Sequence, residues 1–301
     1  MPQLFYTRLP HRALIEIGGE DRVAFLQGLV SADIPRTQDG HPLYGAFLTP
    51  QGKFLHELFV AEQDGVLRLE TEAARRADFA KRLSLYKLRA KVTLAQPEAP
   101  MVYALWGEGA AAALGLGAAA QAPFDGGLVL ADPRLPEAGL RAWLPGGAEE
   151  VLEAAGFALA PFTAWDERRI RLGLPDGSRD LSPEHALLLE NGFDELSGVD
   201  WNKGCYMGQE LTARTKYRAL IRKRLLPVAI SGPAPAAGAP LTTPDGAEAG
   251  EMRSCQDGVG LALLRLEALA ALPPGEALRA GETRLTPLPP PAWMRLPAIS
   301  A

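Results

Sequence analysis

The chain has 301 residues, 47% of them hydrophobic, which is enough for about two domains with sizeable cores and excludes disorder along the whole chain. Its net charge of −5 argues against a general binder of polyanions. Two cysteines, Cys205 and Cys255, cannot build a disulfide framework and are too few for an ordinary iron–sulfur cluster, so we expect a reducing, cytoplasmic location.

The sequence gives no sign of a membrane protein. The N-terminal run Met1–Pro10 lacks the apolar stretch of a signal peptide. The alanine- and glycine-rich run 109–120 is too short and too weakly apolar to span a bilayer. We therefore expect a soluble protein without a membrane partner.

Apolar periodicity predicts the elements of an α+β core. A strand is predicted over 13–17 and a helix over 21–29. Two β-prone runs, 43–48 and 54–60, flank Thr49-Pro50-Gln51-Gly52-Lys53, whose proline and glycine predict a hairpin. Further strands are predicted at 66–70, 91–94, 102–106, 128–131 and 140–144, and helices at 73–86, 149–155, 162–172 and 184–191. The pattern is typical of helices on one face of an antiparallel sheet.

The composition changes after residue 222. Short strands at 226–230, 260–264 and 283–288 are separated by prolines and glycines, which is typical of a small β-barrel or sandwich. We therefore expect a core domain over 1–222 and a C-terminal barrel over 223–301.

The most unusual chemistry lies in the segment 201–218, which reads W-N-K-G-C-Y-M-G-Q-E-L-T-A-R-T-K-Y-R. Gly204 and Gly208 bracket Cys205, which predicts a tight turn before a helix over 209–217. Lys203 and the positive end of that helix would both favour a thiolate, so we interpret Cys205 as reactive. The alternative is an ordinary packed cysteine.

The octapeptide Lys203–Glu210, K-G-C-Y-M-G-Q-E, resembles the K-G-C-aromatic-x-G-Q-E signature of the YgfZ family of folate-binding proteins. That family includes related mitochondrial iron–sulfur assembly factors, and its fold is similar to that of the T-protein aminomethyltransferases. The run 25–33, F-L-Q-G-L-V-S-A-D, resembles a segment near the start of the same proteins. The resemblance implies a T-protein-like core of two subdomains, with interleaved antiparallel sheets and helices, and a C-terminal β-barrel. It also implies a folate-binding accessory protein for iron–sulfur cluster assembly or repair.

The resemblance further implies tetrahydrofolate, or a derivative, as cofactor. A ring-contacting tryptophan of the family falls on Trp165, and a second one falls on Arg12, whose guanidinium can also stack on a ring. Cys205 would be a transient cluster ligand or redox-sensitive thiol, and Lys203 would lower its pKa or hold folate carboxylates. Cys205 and Lys203 are thus the implied catalytic pair, and the implied cofactor contacts are Trp165, Arg12, Tyr206, Gln209, Glu210, Arg214 and Glu57.

Other functions stay open on the sequence. A folate-dependent aminomethyltransferase needs a carboxylate near the reactive nitrogen, and His56-Glu57 stands where T-proteins carry an acidic pair, which leaves Glu57 as candidate.

Basic residues within 75–91 and 214–224 form either a local anion site, as an RNA-modification accessory would use, or solvated helix faces. We expect iron–sulfur assembly machinery or client enzymes as partners and no direct nucleic-acid binding. The four histidines show no metal-ligand spacing, so we expect no resident metal.

Overall fold

A computed structural model describes residues 3–218 and 221–297. In chain order, the strands of the described residues are β1 (Leu4–Arg8), β2 (Arg12–Gly18), β3 (Leu43–Leu48), β4 (Phe54–Gln63), β5 (Val66–Glu72), β6 (Thr93–Ala95), β7 (Met101–Trp106), β8 (Gln121–Phe124), β9 (Gly127–Ala131), β10 (Leu140–Leu144), β11 (Phe157–Leu159), β12 (Lys223–Ser231), β13 (Pro240–Thr242), β14 (Glu248–Gln256), β15 (Val259–Arg265), β16 (Leu278–Ala280) and β17 (Thr283–Pro287). The α-helices are α1 (Arg22–Gln27), α2 (Arg76–Lys87), α3 (Ala110–Ala113), α4 (Glu149–Ala154), α5 (Phe162–Arg171), α6 (Gln209–Tyr217) and α7 (Leu266–Ala271).

The chain divides into two units, and the first comprises Met1–Leu48, Leu55–Trp165 and Leu196–Met207. It contains a five-stranded sheet with the order β3-β4-β5-β2-β6 and a six-stranded sheet with the order β11-β1-β7-β10-β9-β8. The pairs β2/β5 and β7/β10 are antiparallel, whereas β1 and β11 pair in parallel. The predicted antiparallel sheet is therefore two sheets, one of which is mixed.

Apolar side chains from helices cover the five-stranded sheet. Leu26 of α1 and Phe79 and Leu83 of α2 are fully buried in one cluster with Ile15, Ile17 and other residues of the sheet. Tyr86 follows Leu83 at helical spacing, but it lies in the last turn of α2 and is 40% exposed. The six-stranded sheet has its own apolar cluster, which α3 and α4 help to build.

The second unit comprises Thr49–Phe54, Asp166–Glu195 and Gly208–Ala301. Its main feature is a closed barrel with the strand order β12-β15-β14-β13-β16-β17, which confirms the barrel predicted from short strands and turn residues. Gly250 in β14 has a φ of 145°, and a Cβ there would lie 2.2 Å from the carbonyl oxygen of Leu263. Close strand approach at this point therefore requires glycine.

Several local predictions are confirmed. α6 begins and ends where the sequence indicated, and the link between β3 and β4 is a turn closed by hydrogen bonds between Thr49 and both Gly52 and Lys53. β12 begins at Lys223, and the second unit also takes up 49–54 and 166–195, so the boundary at 222/223 stays a prediction.

One predicted helix, over 184–191, is wrong. Glu184 has a φ of 65°, outside the helical region, and only Leu189–Asn191 form a short 3₁₀ turn. The backbone bonds elsewhere, since Glu184 N donates to Phe54 O at 2.7 Å and Phe54 N donates to Ala186 O at 3.0 Å.

Across residues 3–218 and 221–297, no helix combines the length and the hydropathy that a membrane crossing needs.

Candidate functional site

The loop that carries Cys205 is fastened to the segment after α1. The Lys203 Nζ donates to three main-chain carbonyl oxygens, of Gln27 at 2.8 Å, Val30 at 2.6 Å and Ala32 at 2.6 Å. An ammonium has three N–H donors, so these bonds use all of them. Gln27 is the last residue of α1, where carbonyl groups lack helical partners, and a lysine is a common way to satisfy them. The two segments that the sequence picked out separately, 25–33 and 203–210, are thus in direct contact.

Further hydrogen bonds fasten the loop on both sides of Cys205. Before it, Asp200 N donates to Ser31 O at 2.9 Å, and the Asp200 carboxylate accepts from the backbone N–H groups of Asn202 and Lys203. After it, Met207 N donates to Gly28 O at 3.0 Å. These hydrogen bonds give the loop a defined shape.

Cys205 itself is exposed, while its neighbours Lys203 and Tyr206 are 9% and 7% exposed. The Lys203 ammonium lies 5.1 Å from the centre of the Tyr206 ring, a distance typical of a cation–π contact. The buried neighbours hold the loop and leave the thiol accessible. The alternative of a packed cysteine is therefore wrong.

The two electrostatic reasons for a reactive thiol are weaker than the sequence indicated. α6 begins at Gln209 with Gly208 as its N-cap, at a φ of 80°, so Cys205 lies outside the first helical turn, where the dipole acts most strongly. The charge of Lys203 is directed to carbonyl oxygens. Burial lowers the pKa of Lys203 to about 8, against the opposing influence of Asp33 and Asp200. We therefore assign Lys203 to positioning the loop.

Trp165 is buried in an aromatic group of the first unit. It is 3% exposed, and its ring centre lies 5.6 Å from that of Trp106, which in turn stacks on Phe5 at 5.7 Å. The structure gives this indole the surroundings of a packing residue.

Arg12 and Glu57 belong to a buried ionic network in the first unit. Arg12 Nη1 donates to Glu57 at 2.8 Å, and Arg12 Nε donates to Glu70 at 2.8 Å. Glu57 also accepts a hydrogen bond of 2.8 Å from the Tyr44 hydroxyl. The side chains of Arg12 and Glu57 are each 1% exposed. The sequence brought these two residues together only through a family resemblance, whereas here they bond directly.

The rest of the network comes from β10 and from the residues that follow β9 in the same unit. Arg141 and Trp143 of β10 donate to Glu70, and Asp132 accepts from Arg134. The guanidinium carbons of three arginines lie near the Phe59 ring, at 3.9, 4.8 and 5.4 Å from its centre: Arg141, Arg134 and Arg12. Three cations thus face three carboxylates, so the network is close to neutral, as a buried set of charges must be.

These residues do not fit a folate molecule as they stand. All three residues are buried: Trp165 lies beside Trp106, and Arg12 and Glu57 form a direct ion pair. A cavity that reaches Arg12 has a volume of about 210 Å³, below the roughly 300–1,000 Å³ typical of sites for ligands of that size. We therefore derive no chemical step through a folate.

The remaining predicted contacts lie at and after the loop. Tyr206 is buried beside Lys203, and Gln209, Glu210 and Arg214 lie on α6, with the last two exposed. Glu210 and Arg214 form no ion pair in the part of the chain that the structure describes, which is common for exposed charges in water.

Several cations of the two basic segments have partners within their own unit. Arg75 donates to the Leu55 carbonyl, Arg82 pairs with Asp78, and Arg76 pairs with Glu98. In the second unit, Lys216 pairs with Asp194 and Arg224 with Glu195. This favours ordinary charged faces over a dedicated anion site.

Sequence reasoning missed four residues of the buried ionic network and one residue that fastens the segment after α1. Glu70, Asp132, Arg134 and Arg141 sit in or beside buried strands, where a charge within an apolar run such as Leu140–Leu144 is the available signal. Ser31 lies in the run 25–33 that the resemblance singled out, but no role was predicted for it; its hydroxyl donates to Gly198 O and accepts from Ala46 N. Among residues 3–218 and 221–297, no group of three or more histidine, cysteine and acidic side chains could hold a metal ion.

Comparisons with known proteins agree with this architecture. A family model described as the CAF17 C-terminal β-barrel domain matches residues 222–295. The mitochondrial iron–sulfur cluster assembly factor IBA57 of Homo sapiens is 34% identical over 281 residues, which cover 85% of this chain and 76% of that protein. The mitochondrial IBA57 homologue of Coccidioides immitis is 32% identical over 318 residues, which cover 89% of this chain and 73% of that protein.

A solved structure with the same fold is the crystal structure of glycine cleavage system aminomethyltransferase T from Bartonella henselae. It superposes with a TM-score of 0.75 and 17% identity, covering 97% of this chain and 86% of that chain. At this identity the likeness shows the fold alone. The α+β, T-protein-like fold with a C-terminal barrel, predicted from the sequence, is confirmed.

The comparisons contradict the predicted cytoplasmic location. The relatives that match over most of their length are named as mitochondrial proteins. Two thiols without a disulfide framework indicate a reducing environment, but they do not identify the compartment that provides it. None of these relatives is named for RNA, so the RNA-modification alternative gains no support.

Proposed function

The chain belongs to the IBA57 family of iron–sulfur cluster assembly factors, and from this premise we propose that it assists cluster assembly or repair through the exposed thiol of Cys205. The resemblance to the YgfZ family indicated the right wider group without separating its branches. The mitochondrial names of the relatives and the motif K-G-C-Y-M-G-Q-E support a role in iron–sulfur chemistry over one in folate-dependent group transfer.

The observation that carries the proposal is an accessible thiol on a fixed loop. Lys203 and Met207 anchor the loop on either side of Cys205 by hydrogen bonds to the segment after α1. A thiol held in this way loses little conformational entropy when it meets a partner, which favours a brief, specific encounter.

A single thiolate cannot hold a cluster, so the other ligands must come from elsewhere. The described residues contain no cluster of ligating side chains that could supply them. We infer that Cys205 acts as one ligand while a cluster is held between this protein and a carrier or client protein. The cluster is cargo in this proposal and not a resident cofactor.

Replacement of Cys205 tests the proposal. In cells that lack this protein, the wild-type chain should restore the activity of iron–sulfur enzymes and Cys205→Ala should not. Cys255→Ala is the matched control, because Cys255 is half-buried and lies in the barrel. Thermal melting of the purified variants should be unchanged for Cys205→Ala, since an exposed side chain contributes little to stability. Full restoration by Cys205→Ala would remove the thiol from the mechanism.

Tetrahydrofolate binding is a separate part of the proposal, and what supports it is the T-protein-like fold. The buried state of Trp165 and Arg12 weighs against it. Titration with tetrahydrofolate, followed by indole fluorescence in the wild type and in Trp165→Phe, tests it directly. Quenching that depends on Trp165 would support a folate site, and an unchanged spectrum at high ligand concentration would exclude one at this residue.

The aminomethyltransferase alternative depends on Glu57 as a proton acceptor. Its carboxylate is committed to Arg12 and Tyr44, and its side chain is 1% exposed. A general base must reach the proton that it removes, so this burial disfavours the enzyme. Release of ammonia from an aminomethylated lipoyl carrier in the presence of tetrahydrofolate would reverse this conclusion.

A further inference from the structure

A groove on the barrel unit has features that the proposed function does not use. It has a volume of about 610 Å³ and lies between the turn that joins β13 to β14 and the segment formed by α7 and the residues after it. We call it the barrel groove, and its lining residues come from Thr243–Glu248 on one wall and Glu267–Glu276 on the other. None of them belongs to the Cys205 loop, so the inference stands independently of the proposed function.

The floor of the barrel groove is apolar. Ala268 is buried, Leu272 is half-buried, and Ala247, Ala271 and prolines complete the lining. These apolar side chains give an occupant a surface to pack against. The concave shape further favours an occupant with projecting apolar side chains.

Both walls are held by their own hydrogen bonds. In the turn, Thr243 N donates to Ala247 O and Gly246 N donates to Thr243 O, each at 2.9 Å. On the other wall, Glu276 N donates to Pro273 O at 3.0 Å. Each wall therefore has a fixed local shape, which lowers the entropic cost of binding.

The rim of the barrel groove is acidic. Its carboxylates are Asp245, Glu248, Glu267 and Glu276, and the described lining residues include no lysine or arginine. One neighbouring guanidinium, Arg265, pairs with Glu248 at 2.7 Å and lies 3.6 Å from Glu267. A hydrogen bond from Thr243 lowers the pKa of Asp245, so that carboxylate is charged at neutral pH. A negative rim around an apolar floor is complementary to an apolar segment flanked by cations.

We propose that the barrel groove binds a short, positively charged amphipathic segment of a partner protein. Its apolar side chains would pack on Ala268, Ala271 and Leu272, and its lysines or arginines would meet the carboxylates of the rim. A small molecule fits less well, because such sites place convergent polar groups within the pocket, whereas here the charged groups stand at the rim.

A synthetic peptide with leucines on one helical face and lysines and arginines on the other tests the proposal. The fluorescein-labelled peptide is titrated with the full chain, and anisotropy is measured. Ala271→Trp should fill the groove and weaken binding by about tenfold or more, and Glu267→Lys should do the same by reversing a rim charge. The matched controls, Ala237→Trp and Glu282→Lys, change exposed barrel residues outside the groove and should leave the affinity within about twofold.

Two comparison peptides separate groove binding from general attraction. A peptide with serine in place of leucine keeps the charge and should bind weakly, and a peptide with glutamate in place of the cations should not bind. Equal binding of the serine peptide, or no effect of Ala271→Trp and Glu267→Lys, would overturn the proposal. Self-association of the chain in sedimentation velocity that Ala271→Trp abolishes would assign the groove to a second copy and would overturn it as well.

Discussion

The buried network around Glu70 makes a sharp prediction about stability. Glu70 is fully buried and accepts hydrogen bonds from Arg12 Nε at 2.8 Å, from Arg141 Nε at 2.9 Å and from Trp143 Nε1 at 2.9 Å. Arg141 Nη2 donates to it as well. Burial alone would raise the pKa of Glu70, but Arg141 and Arg12 outweigh burial and lower it to about 2, so the group is ionised at neutral pH.

Glu70→Gln keeps the shape and removes the charge. The variant leaves the two arginines with one carboxylate fewer, and the new amide presents an N–H₂ group toward donors. Removing one partner of a buried ion pair costs about 3–5 kcal/mol, because the remaining charge stays buried without compensation. Since proteins are stable by only about 5–15 kcal/mol, we expect the first unit to unfold at a much lower urea concentration.

The assay is urea unfolding at pH 7.5 followed by tryptophan fluorescence, with Trp143 inside the network as a reporter of the first unit. Glu98→Gln is the control, because Glu98 pairs with Arg76 but is 91% exposed, and such pairs contribute at most about 1 kcal/mol. A loss below about 1 kcal/mol for Glu70→Gln would refute the reasoning, since it would mean that the network is hydrated or easily rearranged. The ionised group should contribute fully above its usual pKa of 4.5, and that contribution should be lost as the pH falls through about 2.

Two further predictions concern His56 and Lys203. Burial lowers the pKa of His56 to about 3, with Arg75 adding to the effect and Asp78 opposing it. Because the unfolded chain then binds a proton that the folded protein does not, the stability should fall by about 2–3 kcal/mol between pH 6.5 and pH 4.5. His56→Phe should remove that part of the acid sensitivity while keeping the stacking on Phe79. Urea unfolding of the wild type and the variant at pH 6.5 and pH 4.5 measures the difference. An identical pH dependence of stability in the two proteins would contradict the prediction. Lys203→Met should remove the ammonium donor from the carbonyl groups of Gln27, Val30 and Ala32 and destabilise the first unit by about 2–4 kcal/mol. A loss of stability too small to detect in urea unfolding would show that water replaces the ammonium.

Local chemistry predicted a large part of the fold. Gly208 needs a positive φ, and the uninterrupted run after it forms α6 over the predicted residues. Proline and glycine between two β-prone runs likewise predicted the hairpin that leads into β4. In these cases the residues that decide the structure are neighbours in sequence. The helix predicted over 184–191 failed for the opposite reason, because its backbone bonds to Phe54, which is distant in sequence.

The composition of the octapeptide marked Cys205, and its resemblance to a family signature indicated iron–sulfur chemistry from the residues alone. What the sequence could not supply was the use of each side chain. Lys203 carries the same charge whether it faces a ligand or three carbonyl oxygens, and Arg12 can stack on a ring or pair with Glu57 and Glu70.

By itself, the sequence determined many of the elements, the barrel and the position of the unusual cysteine, because turns, caps and periodicity act over a few residues. Only the tertiary structure decided which charges are buried together and which loop segments are joined. The carboxylate of Glu70 and the guanidinium of Arg141 come from different sheets, and the free energy of each depends on the presence of the other. Such mutual dependence between distant residues leaves no periodic trace in a single sequence.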